Sequence, residues 1–235
     1  MAIKRKGSSK KVYIAIFLLV ILIVATAAII YVTQPAPVKA VVGVHVGNSS
    51  GDSFTYSIVG TSTLTGLDAV ETPGFSQYNQ TDYYKITITG VNGTSVSFDT
   101  LWRFKNGTDV NGKQTIDISN GQKTDTNGFW AIYPSNLNVG DLLRPTGFDG
   151  LTVNRTITRT FADGARLENF WSIDNQFFNV NDPTYGTQRY VYTGVFFDKQ
   201  TGVLETLTNY QEYNNPAMKE IITWNLVNST VWAVQ

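Results

Sequence analysis

The sequence predicts an all-β domain, an antiparallel meander that forms a curved sheet, a sandwich or an open barrel, preceded by one N-terminal transmembrane helix. Three observations predict it. Residues 12–32 carry no charge, apolar and polar residues alternate with a period of two after residue 45, and turn dipeptides separate the alternating stretches. The chain therefore divides into a basic cytoplasmic tail (1–11), a transmembrane helix (12–32), a proline-containing linker (33–45) and an extracellular β-rich domain (46–235).

The membrane segment is long enough to span a bilayer. Its 21 residues would form a helix about 31 Å long, close to the roughly 30 Å of a hydrocarbon core. Fourteen of them are Val, Ile, Leu or Phe, so insertion is favoured by several kcal/mol. Pro35 and Pro37 then end the helix and begin the linker, because proline has no N–H and disfavours helix in the residue before it.

The charges beside this segment set its orientation. Five of the 18 basic residues lie in the first eleven positions with no acid, so the remaining chain carries a net charge of about −5. Between residues 33 and 44 only Lys39 is charged. The positive-inside bias therefore predicts a cytoplasmic N-terminus, a cell-membrane location and an extracellular main domain.

Two other interpretations of the N-terminus stay open. Ala25-Thr26-Ala27 fits the small-residue site at which a secretory signal is cleaved, although the apolar run continues for five residues beyond it. Arg5-Lys6-Gly7 is similar to the processing site of archaeal type IV pilin leaders. Here four polar or basic residues precede the apolar run, whereas pilins become apolar almost at once.

The strands of the outer domain are marked by their turns. Residues 54–59 predict the first strand and residues 220–227 the last. Between them, Asn92-Gly93, Asn106-Gly107 and Asp163-Gly164 are hairpin signals, because these turns need positive φ angles. A four-residue turn ends at Gly202. The spacing predicts eight to ten strands, while a helix could fit only between residues 64 and 82 or between 134 and 150.

The residue types exclude most chemistry. The chain has no cysteine and one histidine, His45, so it lacks the ligands of ordinary zinc, iron or copper sites and the base of a serine hydrolase. It has no phosphate-binding glycine loop. Outside the tail it has no basic cluster for nucleic acid. We therefore expect no catalytic residue, no metal, no cofactor and no nucleic-acid partner.

Four motifs carry a resemblance. They are GDSFTY at residues 51–56, ITITGVNGTSVSF at 86–98, NLNVGDLL at 136–143 and FFDKQTGVLETL at 196–207. With them the chain resembles a loose group of archaeal membrane-anchored surface proteins of unknown function. The resemblance covers about a quarter of the domain and consists of turns and strands, so it implies a fold and a location but no functional residue.

Aromatic residues and sequons supply the candidate contact sites. Thirty residues are aromatic, and the five tryptophans are spread along the predicted strands. Large rings stabilise a core without disulfides, but they can also form a ligand surface. Phe177 and Phe178 interrupt a predicted polar loop, Asn175–Gly186, and are the candidates for an exposed contact. The candidate N-glycosylation sites are Asn48, Asn79, Asn92, Asn106, Asn154 and Asn228.

The favoured hypothesis is a non-catalytic, membrane-tethered cell-envelope protein that makes protein, glycan or surface-layer contacts. Its expected partners are the lipid bilayer, through residues 12–32, and an envelope protein or glycan. The alternatives are a binder or carrier of an apolar ligand on an aromatic sheet face, a pilin-like filament subunit and an unrecognised hydrolase.

Overall fold

The computed structural model describes residues 43–124, 129–182 and 186–234, with no account of the side chains of residues 177–187. The predicted tail, the transmembrane helix and residues 33–42 of the linker lie outside the described residues. Within them, no helix has both the length and the apolar character needed to cross a membrane.

Two antiparallel meanders make up the domain. The first contains β1 (Ser53–Leu64), β2 (Thr81–Asn92), β3 (Ser95–Phe104) and β4 (Asp109–Asp117). The second contains β5 (Arg155–Phe161), β6 (Gly164–Asp182), β7 (Gly186–Asp198), β8 (Leu204–Asn215) and β9 (Ala217–Ser229). The turn glycines predicted at positions 93, 107, 164 and 202 all have positive φ.

The two meanders join into one nine-stranded sheet because β9 pairs with β1. The strand order is β4-β3-β2-β1-β9-β8-β7-β6-β5, so β4 and β5 are the edges and the sheet is not closed. The predicted all-β antiparallel meander is therefore confirmed, as a single open sheet. The predicted eight to ten strands are nine within the described residues.

One side of the sheet, which we call the core face, is buried. Alternate residues of each strand point to it, including Tyr56, Ile86, Phe98, Val195 and Phe197, each at most 1% exposed. With no disulfide in the chain, this apolar burial supplies most of the stability.

A long connection between β4 and β5 packs on the core face. Residues 131–135 are all buried there, and Ile132 forms a β-bridge with Val203. The backbone N–H of Tyr133 donates to the carbonyl of Gly202, and the N–H of Leu204 donates to the carbonyl of Ala131. These hydrogen bonds satisfy the polar backbone of a buried segment that has no regular secondary structure.

The single described helix, α1 (Ser76–Gln80), has only five residues and lies in one of the two intervals where the sequence allowed a helix. Gly60 in β1 makes room for it, because a Cβ at that position would lie 3.1 Å from the ring of Phe75 and 3.2 Å from Tyr78. The helix therefore packs on β1.

Candidate binding face

The side of β6–β9 opposite the core carries a row of aromatic residues, which we call the aromatic face. Strand register places them together: Phe170 pairs with Phe196, Tyr192 pairs with Tyr210, and Tyr210 pairs with Ile221. Tyr190 lies two residues before Tyr192 in β7 and therefore points to the same side of the sheet. All six side chains are partly exposed to solvent.

The rings occupy defined positions along β7. Phe170 and Phe196 have centroids 4.6 Å apart, and the guanidinium carbon of Arg155 lies 4.6 Å from the Phe170 ring centre. Farther along, Tyr190 and Tyr210 meet edge to face at 5.6 Å. Gly194 lies between the two groups, and a Cβ there would lie 2.9 Å from Cζ of Tyr192. The Tyr192 ring therefore lies over the bare backbone of Gly194 and links the two groups.

Charged side chains surround the tyrosines. The hydroxyl of Tyr210 donates to Oε2 of Glu212 at 3.0 Å, and Glu212 lies 3.6 Å from Arg189 and 3.7 Å from Lys219. Burial, followed by the carboxylate of Asp174, raises the pKa of Tyr190. The hydroxyl of Tyr190 is therefore a protonated hydrogen-bonding group at neutral pH. A shallow groove of about 420 Å³ is lined by Tyr190, Tyr192, Thr208, Tyr210, Glu212 and Ile221.

Toward the β7–β8 turn, the same side of the sheet holds buried carboxyl groups. Glu168, Asp198 and Glu205 are each 1% exposed. Arg166 binds Asp198 through two hydrogen bonds of 2.9 and 3.0 Å, and Arg159 donates to Glu168 at 3.1 Å. Two arginines thus neutralise two carboxylates and leave Glu205 without an equivalent partner.

Glu205 is held as a neutral acid. Its side chain forms a hydrogen bond with that of Glu168, and Arg159 Nη1 lies 3.9 Å from Oε2. Burial, with Glu168 as the next cause, raises the pKa of Glu205 to about 10. A carboxyl group that keeps its proton at neutral pH carries no charge that would need an ion-pair partner.

The C-terminal segment covers this end of the sheet. Trp232 is 3% exposed, lies 6.4 Å from the ring of Phe161, and has the guanidinium of Arg166 4.4 Å above it. The N–H of Ala233 donates to Asp163 at 3.1 Å, in the β5–β6 turn. The C-terminal segment therefore covers this side of the sheet near the β5–β6 turn. The aromatic face, farther along β7, is partly exposed to solvent.

The structure places the predicted contact residues differently from the sequence. The polar stretch that holds Phe177 and Phe178 is not a loop, because residues 175–182 belong to β6 and Gly186 begins β7. The side chains of Phe177 and Phe178 lie outside the described part, so their predicted exposure stays a prediction. His45 is exposed, and its carbonyl accepts the N–H of Ser135.

The tryptophans divide between packing and exposure. Trp171, Trp224 and Trp232 are at most 9% exposed, and Trp102 packs partly buried against the core. Trp130 is 38% exposed, with the guanidinium of Arg144 4.3 Å from its ring centre. The open face is made of tyrosine and phenylalanine and not of the tryptophans that are spread along the strands. The one local indication of this face in the sequence is Tyr190-Val191-Tyr192, in which large residues point to both sides of a strand.

Five of the six sequons are exposed: Asn79, Asn92, Asn106, Asn154 and Asn228. Asn92 and Asn106 lie beside hairpin turns, as the sequence predicted. Asn48 differs, because it is 7% exposed and its Nδ2, the atom to which a glycan would be attached, donates to the carbonyl of Thr201 at 2.9 Å. A glycan on Asn48 is incompatible with this packing.

Among residues 43–124, 129–182 and 186–234, no three His, Cys, Asp or Glu side chains are arranged to hold a metal ion. No protein-family model matches the chain, and neither a curated protein nor a solved structure is significantly similar to it.

Proposed function

We propose that the chain is a non-catalytic, membrane-anchored cell-surface protein that makes its contacts in the envelope through the aromatic face. The observation that carries this proposal is the contrast between the two sides of β6–β9. Rings on the core face are packed, whereas Tyr190, Tyr192 and Tyr210 are partly exposed and line a groove. Exposed, clustered aromatic residues are typical of contact surfaces.

The anchor is the second part of the proposal. Residues 12–32 have the length and composition of a membrane span, and the basic tail before them favours a cytoplasmic N-terminus. Location outside the cell also agrees with the resemblance to archaeal surface proteins and with five exposed sequons.

The groove lies far from the β7–β8 turn. Residue 47 packs on that turn, where a Cβ on Gly47 would touch Thr201. Tyr190 lies eight residues along β7 from Asp198, which is about 26 Å at 3.3 Å per residue. The groove is therefore well separated from the turn that Gly47 contacts.

The buried carboxyl groups favour binding over catalysis. Glu168 and Glu205 form the kind of acid and carboxylate pair that glycoside hydrolysis uses. Both are 1% exposed, and the side chain of Arg159 lies against them. A substrate has no access to their oxygens in this structure, so we assign them to stability.

Two experiments test the proposal. Full-length protein should resist extraction from membranes with alkaline carbonate, and protease added to intact cells should digest it beyond residue 42. Detergent-solubilised full-length protein should also sediment with membrane-free envelope from the organism that makes it. A Tyr190→Ala/Tyr210→Ala variant should lose that binding by about tenfold or more, because both rings would be removed.

Tyr83→Ala is the matched control. Tyr83 is a partly exposed tyrosine of β2, outside the aromatic face. The proposal fails if protein washes off with carbonate, or if the double variant and Tyr83→Ala bind envelope as well as the unchanged chain does. The mass of the mature N-terminus separately distinguishes an intact anchor from cleavage after Gly7 or Ala27.

A further inference from the structure

The aromatic face has a mixed chemistry. Its rings alternate with hydroxyl, amide and carboxyl groups on neighbouring strands. Register places Ser172 and Thr208 beside Gly194, Thr206 beside Phe196, and Asp174 beside Tyr192. Asn225 and Thr223 of β9 continue the polar set next to Thr206 and Thr208. A ligand that covers the rings must therefore also satisfy many polar groups.

This mixture disfavours a purely apolar ligand. Covering Asp174, Glu212 and the threonine hydroxyls with hydrocarbon would remove their water without replacing the hydrogen bonds, at about 1–3 kcal/mol for each polar group. An anionic polymer is disfavoured as well. Asp174 and Glu212 lie among the rings, and Arg189 and Lys219 are already close to Glu212.

A sugar ring has the complementary chemistry, with apolar C–H groups on its faces and hydroxyl groups at its rim. Tyr192 is placed for contact with such a ring, because it lies beside Gly194, which has no side chain, and is partly exposed to solvent. The hydroxyl of Tyr210 donates its proton to Glu212, so its oxygen and the carboxylate of Glu212 offer acceptors beside the ring.

The dimensions favour a chain of sugars over a single one. Phe196 and Tyr190 are six residues apart on β7, which corresponds to about 20 Å. The face is open and shallow along this length, and the floor of the groove is sheet. A single sugar would cover only a small part of the aromatic row.

We infer that the aromatic face binds an extended, uncharged oligosaccharide of an envelope glycan along β7. The rings of Tyr190, Tyr192 and Tyr210 stack on the sugars, and Asp174 and Glu212 bind their hydroxyl groups. The inference rests on the proposed function and adds the class of ligand to it.

The test uses the sedimentation assay with full-length protein and envelope treated in two ways. Periodate cleaves the vicinal diols of sugars, whereas protease removes polypeptide. Periodate should lower binding at least about tenfold, which corresponds to 1.4 kcal/mol or more. Binding to protease-treated envelope should persist, unless the glycan is attached to protein and released with it.

If the glycan is attached to protein, the glycopeptides that protease releases provide the test. Glycopeptides freed by protease should compete for binding, and periodate should abolish their competition. Tyr192→Ala should lower binding at least about fivefold, whereas Tyr210→Phe should lower it about threefold or less, because it keeps the ring and loses one hydroxyl. Tyr83→Ala should stay within about twofold of the unchanged chain.

Each contrary outcome has a distinct meaning. Binding that survives periodate but is lost with protease, without competition by the released glycopeptides, overturns the oligosaccharide and leaves the proposed contact face standing. Binding that survives both treatments also overturns it. No binding to untreated envelope overturns the contact function itself, and the oligosaccharide with it.

Discussion

Phe196 and Phe197 are neighbours in β7, yet they belong to two different regions of the molecule. Phe197 is fully buried on the core face and stacks on Tyr133 at 4.6 Å. Phe196 lies half-buried on the aromatic face beside Phe170. The two sides are both rich in aromatic residues, but within the described residues the core face is covered by residues 129–153, whereas the aromatic face is partly exposed. Aromatic content alone therefore does not distinguish a core from a contact surface. Coverage by other parts of the chain does.

The largest expected effect separates these two neighbours. Phe197→Ala should lower the free energy of unfolding by about 3–5 kcal/mol, because it removes buried surface and leaves a cavity. Phe196→Ala should cost about 1 kcal/mol, since the ring is already partly hydrated. Urea denaturation of both variants, followed by tryptophan fluorescence, measures the difference. Equal losses would contradict the assignment of the two sides.

The next effect tests the cover on the core face. Gly202 has φ +76°, and a Cβ on it would collide with the carbonyl oxygen of Tyr133, so Gly202→Ala should cost about 3 kcal/mol or more. Gly107 has φ +85° with open space around it, so Gly107→Ala should cost only about 1–2 kcal/mol of backbone strain. Similar costs for both would mean that residues 131–135 are not packed against the β7–β8 turn.

A smaller effect, which depends on pH, tests the buried carboxyl group of Glu205. The folded state keeps the proton of Glu205 up to about pH 10, whereas an unfolded glutamate releases it near pH 4.5. The folded state therefore binds the extra proton, and stability falls as pH rises through this window. Glu205→Gln removes the titrating group, so its advantage over the unchanged chain should be greater at pH 8 than at pH 5, by about 1 kcal/mol or more.

The matched control for this variant is Glu212→Gln, a partly exposed carboxyl on the open groove. Because Glu212 lies outside the buried carboxyl cluster, the gain at pH 8 should be confined to Glu205→Gln. If Glu205→Gln shows no gain at pH 8, the neutral buried acid is refuted.

Much of the fold could be predicted because its signals are local. Positive φ at Gly93, Gly107 and Gly202 is required by the turn itself, so the glycines reveal the hairpins. Gly51-Asp52 and Gly140-Asp141 likewise share one kind of local turn. Asp52 accepts the N–H of Ser49, and Asp141 accepts the N–H of Asn138, each after a glycine with positive φ. The same turn chemistry was used twice, without a repeated domain.

The aromatic face could not be predicted, because three of its determinants are not local. Pairing of Tyr192 with Tyr210 depends on the register between two strands that the sequence does not state. The long connection that buries one side of the sheet has no periodic pattern. A register shift between Phe196 and Phe197 changes the pairing of β7 with β8 near Glu205. The alternation of apolar and polar residues in the sequence therefore does not predict that Glu205 is buried.

Tyrosine nitration on intact cells tests the central claim most directly. Purified full-length protein should be nitrated at Tyr190, Tyr192, Tyr210 and Tyr83, which are partly exposed, and spared at the buried Tyr56 and Tyr133. In the native envelope, Tyr190, Tyr192 and Tyr210 should be protected about fivefold or more relative to Tyr83, as bound ligand would exclude the reagent. Equal nitration of all four exposed tyrosines in cells and in purified protein would contradict a contact made through this face.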